Sequence, residues 1–194
     1  MKKIITFLTS ALLIASMVFV SCGGASASKD AEFIIGNGTE PQSLDPSKIE
    51  GVPEHRIYMA LFEGLVAYNP ETANAEPGVA ESWTISPDGT VITFKLRKAT
   101  WSDGVAITAK TFVDSWLRTL DPETASNYAY MIGMVVKGAD AYNTGNGPRE
   151  GVAIKAVDDY TFEVTLTGPA PYALDMMAHY AFSPLPMHAI EKFG

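Results

Sequence analysis

The chain opens on an apolar run without a period, residues 4–20, behind Lys2 and Lys3. Further on, Phe33, Ile34 and Ile35 read as a short strand ended by Gly36, Asn37 and Gly38. From Pro53 the spacing becomes helical. Ile57, Leu61 and Leu65 recur at every fourth position, and Ala60, Phe62 and Val66 fill the other faces. That pattern predicts a helix buried between layers, with Pro53 in the first turn where proline is tolerated. Pro, Asn and Gly in residues 68–78 predict a loop. Period two then takes over. Trp83 and Ile85 alternate with polar residues, Pro87, Asp88 and Gly89 turn the chain, and Ile92, Phe94 and Leu96 alternate on the return, which predicts a hairpin with one buried face. After a turn at residues 100–104, Thr108 is placed to cap a helix carrying Phe112, Trp116, Leu117 and Leu120 on one side, broken at Asp121 and Pro122. A second hairpin runs through Val152, Ile154 and Ala156, turns at Asp158 and Asp159, and returns through Phe162, Val164 and Leu166. Pro169 and Pro171 lead into a short helix from Tyr172 to about His179, and residues 186–194 begin another. Strand and helix do not alternate in βαβ units, so the class is α+β.

The apolar run changes that picture at the front end. A positive start, an apolar stretch and a small residue, Ser21, predict a secretory signal over residues 1–21 rather than a spanning helix, for which the run is marginal in length. Cys22 follows directly and is the only cysteine, which rules out an intramolecular disulfide. Residues 19–22, Phe-Val-Ser-Cys, resemble a bacterial lipobox, although Phe19 stands where leucine is usual. The resemblance implies a lipidated Cys22 as the mature N-terminus, held on a membrane by acyl chains at about 0.8 kcal/mol per buried methylene. Residues 22–32 then serve as a small, polar tether. Without Lys2 and Lys3, 12 basic residues stand against 22 acidic ones. No basic stripe exists, so neither nucleic acid nor anionic lipid is an electrostatically favoured partner.

Candidate chemistry is sparse. The three histidines, His55, His179 and His188, have no second ligand at metal spacing, so no metal site and no cofactor is expected. Neither a nucleophile elbow nor a phosphate loop is present. Asp158 and Asp159 fall at a turn, where solvated turn residues are the plain reading. Trp83 and Trp116 fall at core positions of the pattern. An enzyme is not expected.

Five stretches carry a resemblance in order and spacing: EPQSLDPSKIEGVPE, LFEGLVAYNP, EPGVAESWTISPDGTVITFKLRK, WSDGVAITAKTFVDSWLRTLDPETASNYA and IKAVDDYTFEVTL. They resemble the periplasmic oligopeptide-binding proteins, the solute-binding component of ABC-type peptide importers, over residues 40–194. The chain departs from the family pattern in being a residue short between Arg97 and Trp101, and in Thr111, where an acidic residue is usual. The resemblance implies part of a two-lobed periplasmic-binding-protein-like (type II) fold. Residues 33–62 would be the first segment of a ligand-binding lobe, residues 63–187 an accessory domain, and residues 188–194 the return into the lobe. It further implies an extended oligopeptide as ligand, an ABC permease as membrane partner, and the periplasm or cell envelope as location. By the same resemblance Glu50, Gly51 and Val52 form a wall that pairs with the peptide backbone. Gly51 would permit close approach, and Tyr128 would either reach the ligand or pack on its own domain. A receptor of the same fold for dipeptide, nickel or haem, and a surface adhesin, are the alternatives. A secreted hydrolase lacks an assembled nucleophile or metal set.

Overall fold

A computed structural model describes residues 33–193, so the signal, Cys22 and the tether lie outside the described residues. Among the described residues, the chain from Asn37 onward forms one compact unit. Its centre is a four-stranded antiparallel sheet in the order β3-β4-β8-β7. β3 (Ala80–Ile85) and β4 (Val91–Leu96) are the first predicted hairpin, β7 (Ile154–Asp158) and β8 (Thr161–Thr165) the second. The two hairpins join through β4 and β8, with Phe94 opposite Phe162. Two short ribbons flank them, β1 (Val66–Tyr68) with β2 (Ala75–Pro77), and β5 (Ala99–Thr100) with β6 (Ala106–Ile107).

The buried face of the sheet is set by period two in the central strands. Ile92, Phe94 and Leu96 of β4 and Phe162 and Val164 of β8 are all buried. The edge strands follow less strictly. Trp83 is half-buried and Ile85 is exposed although they pair with buried Phe94 and Ile92, because β3 is an edge strand with no neighbour on its outer side. Ala156 of β7 is exposed for the same reason, since β7 is the other edge strand, although Ala156 pairs with buried Phe162.

Helix α2 (Ala109–Leu120) lies against β7 and β8 and fills the core with Phe112, Trp116, Leu117 and Leu120, the side predicted from spacing. Thr108 is its N-cap. Thr111 accepts the Thr108 N–H at 3.0 Å, so its hydroxyl takes the part that an acidic residue plays at the third position of a capping box. The helix stops at Asp121, whose carboxylate accepts from Glu123 N–H and opens a 3-10 turn at Pro122–Thr124. Two helices that the pattern did not predict follow, α3 (Ala129–Val135) and α4 (Ala139–Asn143).

Three other expectations are corrected. Phe33, Ile34 and Ile35 are exposed and form no strand, since no partner strand pairs with them among the described residues. Helix α1 (Val52–Leu61) does hold Pro53 in its first turn, but it is not buried between layers. Val52, Met59 and Leu61 are exposed, and Leu65 is buried beyond the helix, just before β1. The helix before His179 shortens to α5 (Ala173–Met176), and a 3-10 turn at Tyr180–Phe182 follows. The acidic pair is a turn: Asp158 accepts from Tyr160 N–H and the Thr161 hydroxyl, bonds that lower its pKa. Helix α6 (Met187–Phe193) closes the described chain. Among the described residues no helix is long and apolar enough to cross a membrane.

Candidate functional site

The stretch before α1 is held in shape by its own polar side chains. Asp45 accepts from Ser47 N–H, its carbonyl accepts from Lys48 and Ile49, and its carboxylate takes both ends of the Arg118 guanidinium of α2 at 3.1 and 2.7 Å. Ser47 and Thr119 share a buried hydroxyl–hydroxyl bond of 2.9 Å. The turn is thereby pinned to α2, and Ile49 is driven into a cluster with Tyr58 and Tyr180. Side chains alternate along an extended chain, so with Ile49 inward Glu50 faces out. No strand pairs with residues 49–51 among the described residues, and Val52, expected in the extended wall, is instead the first residue of α1, because the first-turn Pro53 starts the helix one residue earlier. A cavity of about 330 Å³ opens beside them, lined by Glu40, Lys48, Ile49, Glu50, Gly51 and Glu54 among others.

Glu54, in the first turn of α1, folds back over Gly51 and accepts from Gln42 N–H at 2.8 Å. Main-chain N–H donors, that of Gln42 foremost, lower its pKa. A Cβ on Gly51 would sit 2.3 Å from Glu54 Oε2. Gly51 therefore has an internal reason to be glycine, which the spacing in the sequence did not reveal. Gly51→Ala is expected to push the carboxylate off Gln42 and to lower the melting temperature by a few degrees. In a Glu54→Ala background the same substitution should cost almost nothing, and thermal melts of the four proteins of this cycle check it.

From the other side, the 3-10 turn and its left-handed Ala125 (φ 52°) bring residues 126–128 across to the wall. Asn127 donates its amide to the Glu50 carboxylate, and the Tyr128 hydroxyl reaches the Glu50 carbonyl at a long 3.5 Å. The structure thus brings together two regions, around Glu50 and around Tyr128, that lie far apart in the sequence.

Beneath them lies an aromatic floor. The Tyr128 ring meets Tyr180 edge-on at 5.3 Å and His179 at 5.1 Å. Tyr180 also meets Tyr58 at 5.9 Å, and the Tyr58 hydroxyl accepts from Ser183 at 2.6 Å. Burial raises the Tyr58 pKa, partly offset by that bond. The Tyr180 pKa is raised as well, first by burial and then by the adjoining Tyr128 phenol and the Glu50 charge. The Tyr58 and Tyr180 phenols thus stay neutral hydrogen-bonding groups at physiological pH. The histidine ring of His179 is pushed the other way, to about 4, by burial and by His55. Sequence reasoning did not find Asn127, His179, Tyr180 or the closing role of Glu54. None of them carries a spacing signal, since each contact spans a dozen residues or more or lies at an irregular turn. Among the described residues no group of three or more His, Cys, Asp or Glu is placed to hold a metal ion.

The sheet, the pinned turn and this floor can be set against known proteins. The family model for bacterial extracellular solute-binding proteins, family 5, middle region, matches residues 74–193. The chain belongs to this family. Periplasmic oligopeptide-binding protein OppA of Escherichia coli is 47% identical to the family-5 chain over 173 residues, which is 88% of this chain and 32% of that protein. A crystal structure of an oligopeptide-binding protein, OppAIV, from Borrelia burgdorferi superposes with a TM-score of 0.77 at 46% identity, covering 81% of this chain and 32% of the other. Haemophilus influenzae OppA in complex with the peptide RPPGFSPFR gives 0.77 at 44% identity, covering 82% and 31%. The fold is accordingly part of the two-lobed type II architecture, and the family-5 chain spans about a third of the length of these relatives.

Proposed function

We propose that the chain is part of an extracytoplasmic solute-binding lipoprotein that captures oligopeptides in an extended conformation and delivers them to an ABC-type import permease. In this reading residues 33–62 and 188–194 belong to a ligand-binding lobe, residues 63–187 form the accessory domain, and Cys22 carries the lipid. The single observation that carries it is the segment Glu50–Gly51, without a strand partner among the described residues and with Gly51 extended where the chain enters α1 at Val52, held by Asp45–Arg118 and Glu54–Gln42 and contacted by Asn127 and Tyr128. A main chain that is ordered without a strand partner is pre-organised to accept one, and strand addition reads the backbone common to all peptides. Peptide side chains would then occupy hydrated space such as the cavity beside Glu50, where water adapts to the occupant and broad specificity follows. Similarity to a relative solved with a bound peptide supports the ligand class. The role is binding and release, with closure of two lobes around the ligand, and no catalytic step.

One wall forfeits most of the contact area of a closed cleft, so the chain itself is expected to bind peptides only weakly. The test is an NMR titration of the protein with a mixture of short peptides. Shifts at millimolar peptide confined to Gly51, Val52 and Tyr128 are the expected result. Shifts that avoid these residues would remove the wall from the binding site. Binding as tight as that of a complete receptor would show that the site does not depend on a second lobe. Nickel or haem that displaces the peptide would move the protein to another branch of the fold.

A further inference from the structure

Beneath the wall the contacts run in one direction. His179 Nδ1 accepts the Ala181 N–H at 3.2 Å and so caps the 3-10 turn Tyr180–Phe182. A nitrogen that accepts a hydrogen bond carries no proton, so the ring is neutral with its proton on Nε2. The capped turn sets the Tyr180 ring, which lies 3.9 Å from the His179 ring and supports Tyr128. Tyr128 in turn reaches the main chain of Glu50.

We propose that His179 is a positioning residue for the wall. Its unprotonated Nδ1 holds the turn that sets Tyr180 and, through Tyr128, the main chain of Glu50, so the wall is assembled only while that nitrogen is free. The proposal rests on the reading of Glu50, Gly51 and Val52 as the peptide wall. A proton on Nδ1 would face the Ala181 N–H, replacing an attraction by a clash of two donors. The turn would then open and the floor beneath Tyr128 would lose Tyr180.

Burial first, and then His55, favour the neutral ring. His179 meets Tyr128 from the loop before α3 and Tyr180 of its own turn, and behind these lie His55 and Tyr58 of α1 against Tyr180 and Tyr130 of α3 against Tyr128. The charge of Glu50 is felt at Tyr180, across the floor. Asp175 of α5 turns away to accept from Ala75 N–H. His55 Nδ1 is itself buried without a partner. The depressed pKa of His179, about 4, fits this setting. Its sign follows from linkage. An unfolded chain takes up the proton near the ordinary imidazole value of about 6.5, the folded one only near 4. In that window the unfolded state holds more protons, so stability falls as the pH falls from about 6.5 to about 4 and levels off below.

The experiment is a pH titration of the ¹⁵N-labelled protein, followed at the amides of Ala181, Tyr128, Glu50 and Gly51, in the wild type, His179→Asn and His179→Leu. The Oδ1 of His179→Asn replaces Nδ1 as the acceptor and does not titrate. The wild type should show one shared inflection near pH 4 at all four amides. His179→Asn should keep the neutral-pH wall shifts and lose that inflection, while His179→Leu should displace the wall amides already at neutral pH. An inflection that survives in His179→Asn belongs to a carboxylate and overturns the proposal. Wall amides unmoved in a folded His179→Leu overturn it as well. If His179→Leu does not fold, the His179→Asn comparison decides alone. No peptide is present in this measurement, so its failure is distinct from failure of the peptide titration.

Discussion

Trp116→Ala is expected to destabilise the protein by about 3–5 kcal/mol, enough to unfold a marginally stable domain. Trp116 is fully buried on α2, meets Phe162 of β8 and Phe182 of the 3-10 turn edge-on at 5.1 Å each, and donates its indole N–H to the Phe182 carbonyl at 2.8 Å. Truncation removes a large side chain from the junction of helix, sheet and turn, and strands a buried acceptor. Trp116→Phe separates the two losses. It refills most of the space and leaves the carbonyl unpaired, so its cost should be about 1–3 kcal/mol. Urea melts followed by circular dichroism give both values. A cost for Trp116→Ala below that of Trp116→Phe would show that this junction is not the centre of the core. Phe182 shares its turn with Tyr180, so in a folded Trp116→Phe protein the Tyr180 resonances should move as well.

The second large effect is expected at Asp45. Its carboxylate and Arg118 are each less than a quarter exposed. The carboxylate accepts three hydrogen bonds, two from Arg118 and one from Ser47 N–H. Asp45→Ala loses all three and leaves a half-buried guanidinium unpaired, a cost of about 2–4 kcal/mol. Much of that cost should appear as local opening of residues 42–52 rather than as global unfolding, because this stretch docks on α2 without belonging to the sheet. Hydrogen exchange is therefore the sharper measurement. The Lys48 and Ile49 amides, which donate to the Asp45 carbonyl, should lose protection while those of β4 and β8 keep theirs. Asp45→Ala with Arg118→Leu should cost less than the sum of the single changes. Unchanged protection at Ile49 in Asp45→Ala would mean that the wall is held by something other than this ion pair.

These two residues show how unevenly the structure could be read in advance. Trp116 was legible because helical periodicity over twelve residues reports directly which side is buried. The hairpins were legible because alternation and a turn signal are local. Where period and burial part company, at Ile85 and Ala156, the strand lies at an edge of the sheet, and edge position leaves no mark in an apolar pattern. α1 shows the opposite failure. Its apolar residues recur at helical spacing, yet Met59 and Leu61 lie exposed and a carboxylate, Glu54, is among its buried residues. Glu54 is inside because main-chain donors await it there, which hydropathy does not express.

The candidate site divides along the same line. The family membership, the α+β class and the core face of α2 were all contained in the sequence, as local period or as motif. That Asp45 pins the wall to α2, that Gly51 is glycine to make room for Glu54, and that His179 and Tyr180 form the floor beneath Tyr128 was decided only by tertiary structure. Each of these is a contact between side chains that are separated along the chain or meet at an irregular turn. Local spacing dictates which face of an element turns inward, whereas the meeting of two inward faces depends on the packing of the whole chain.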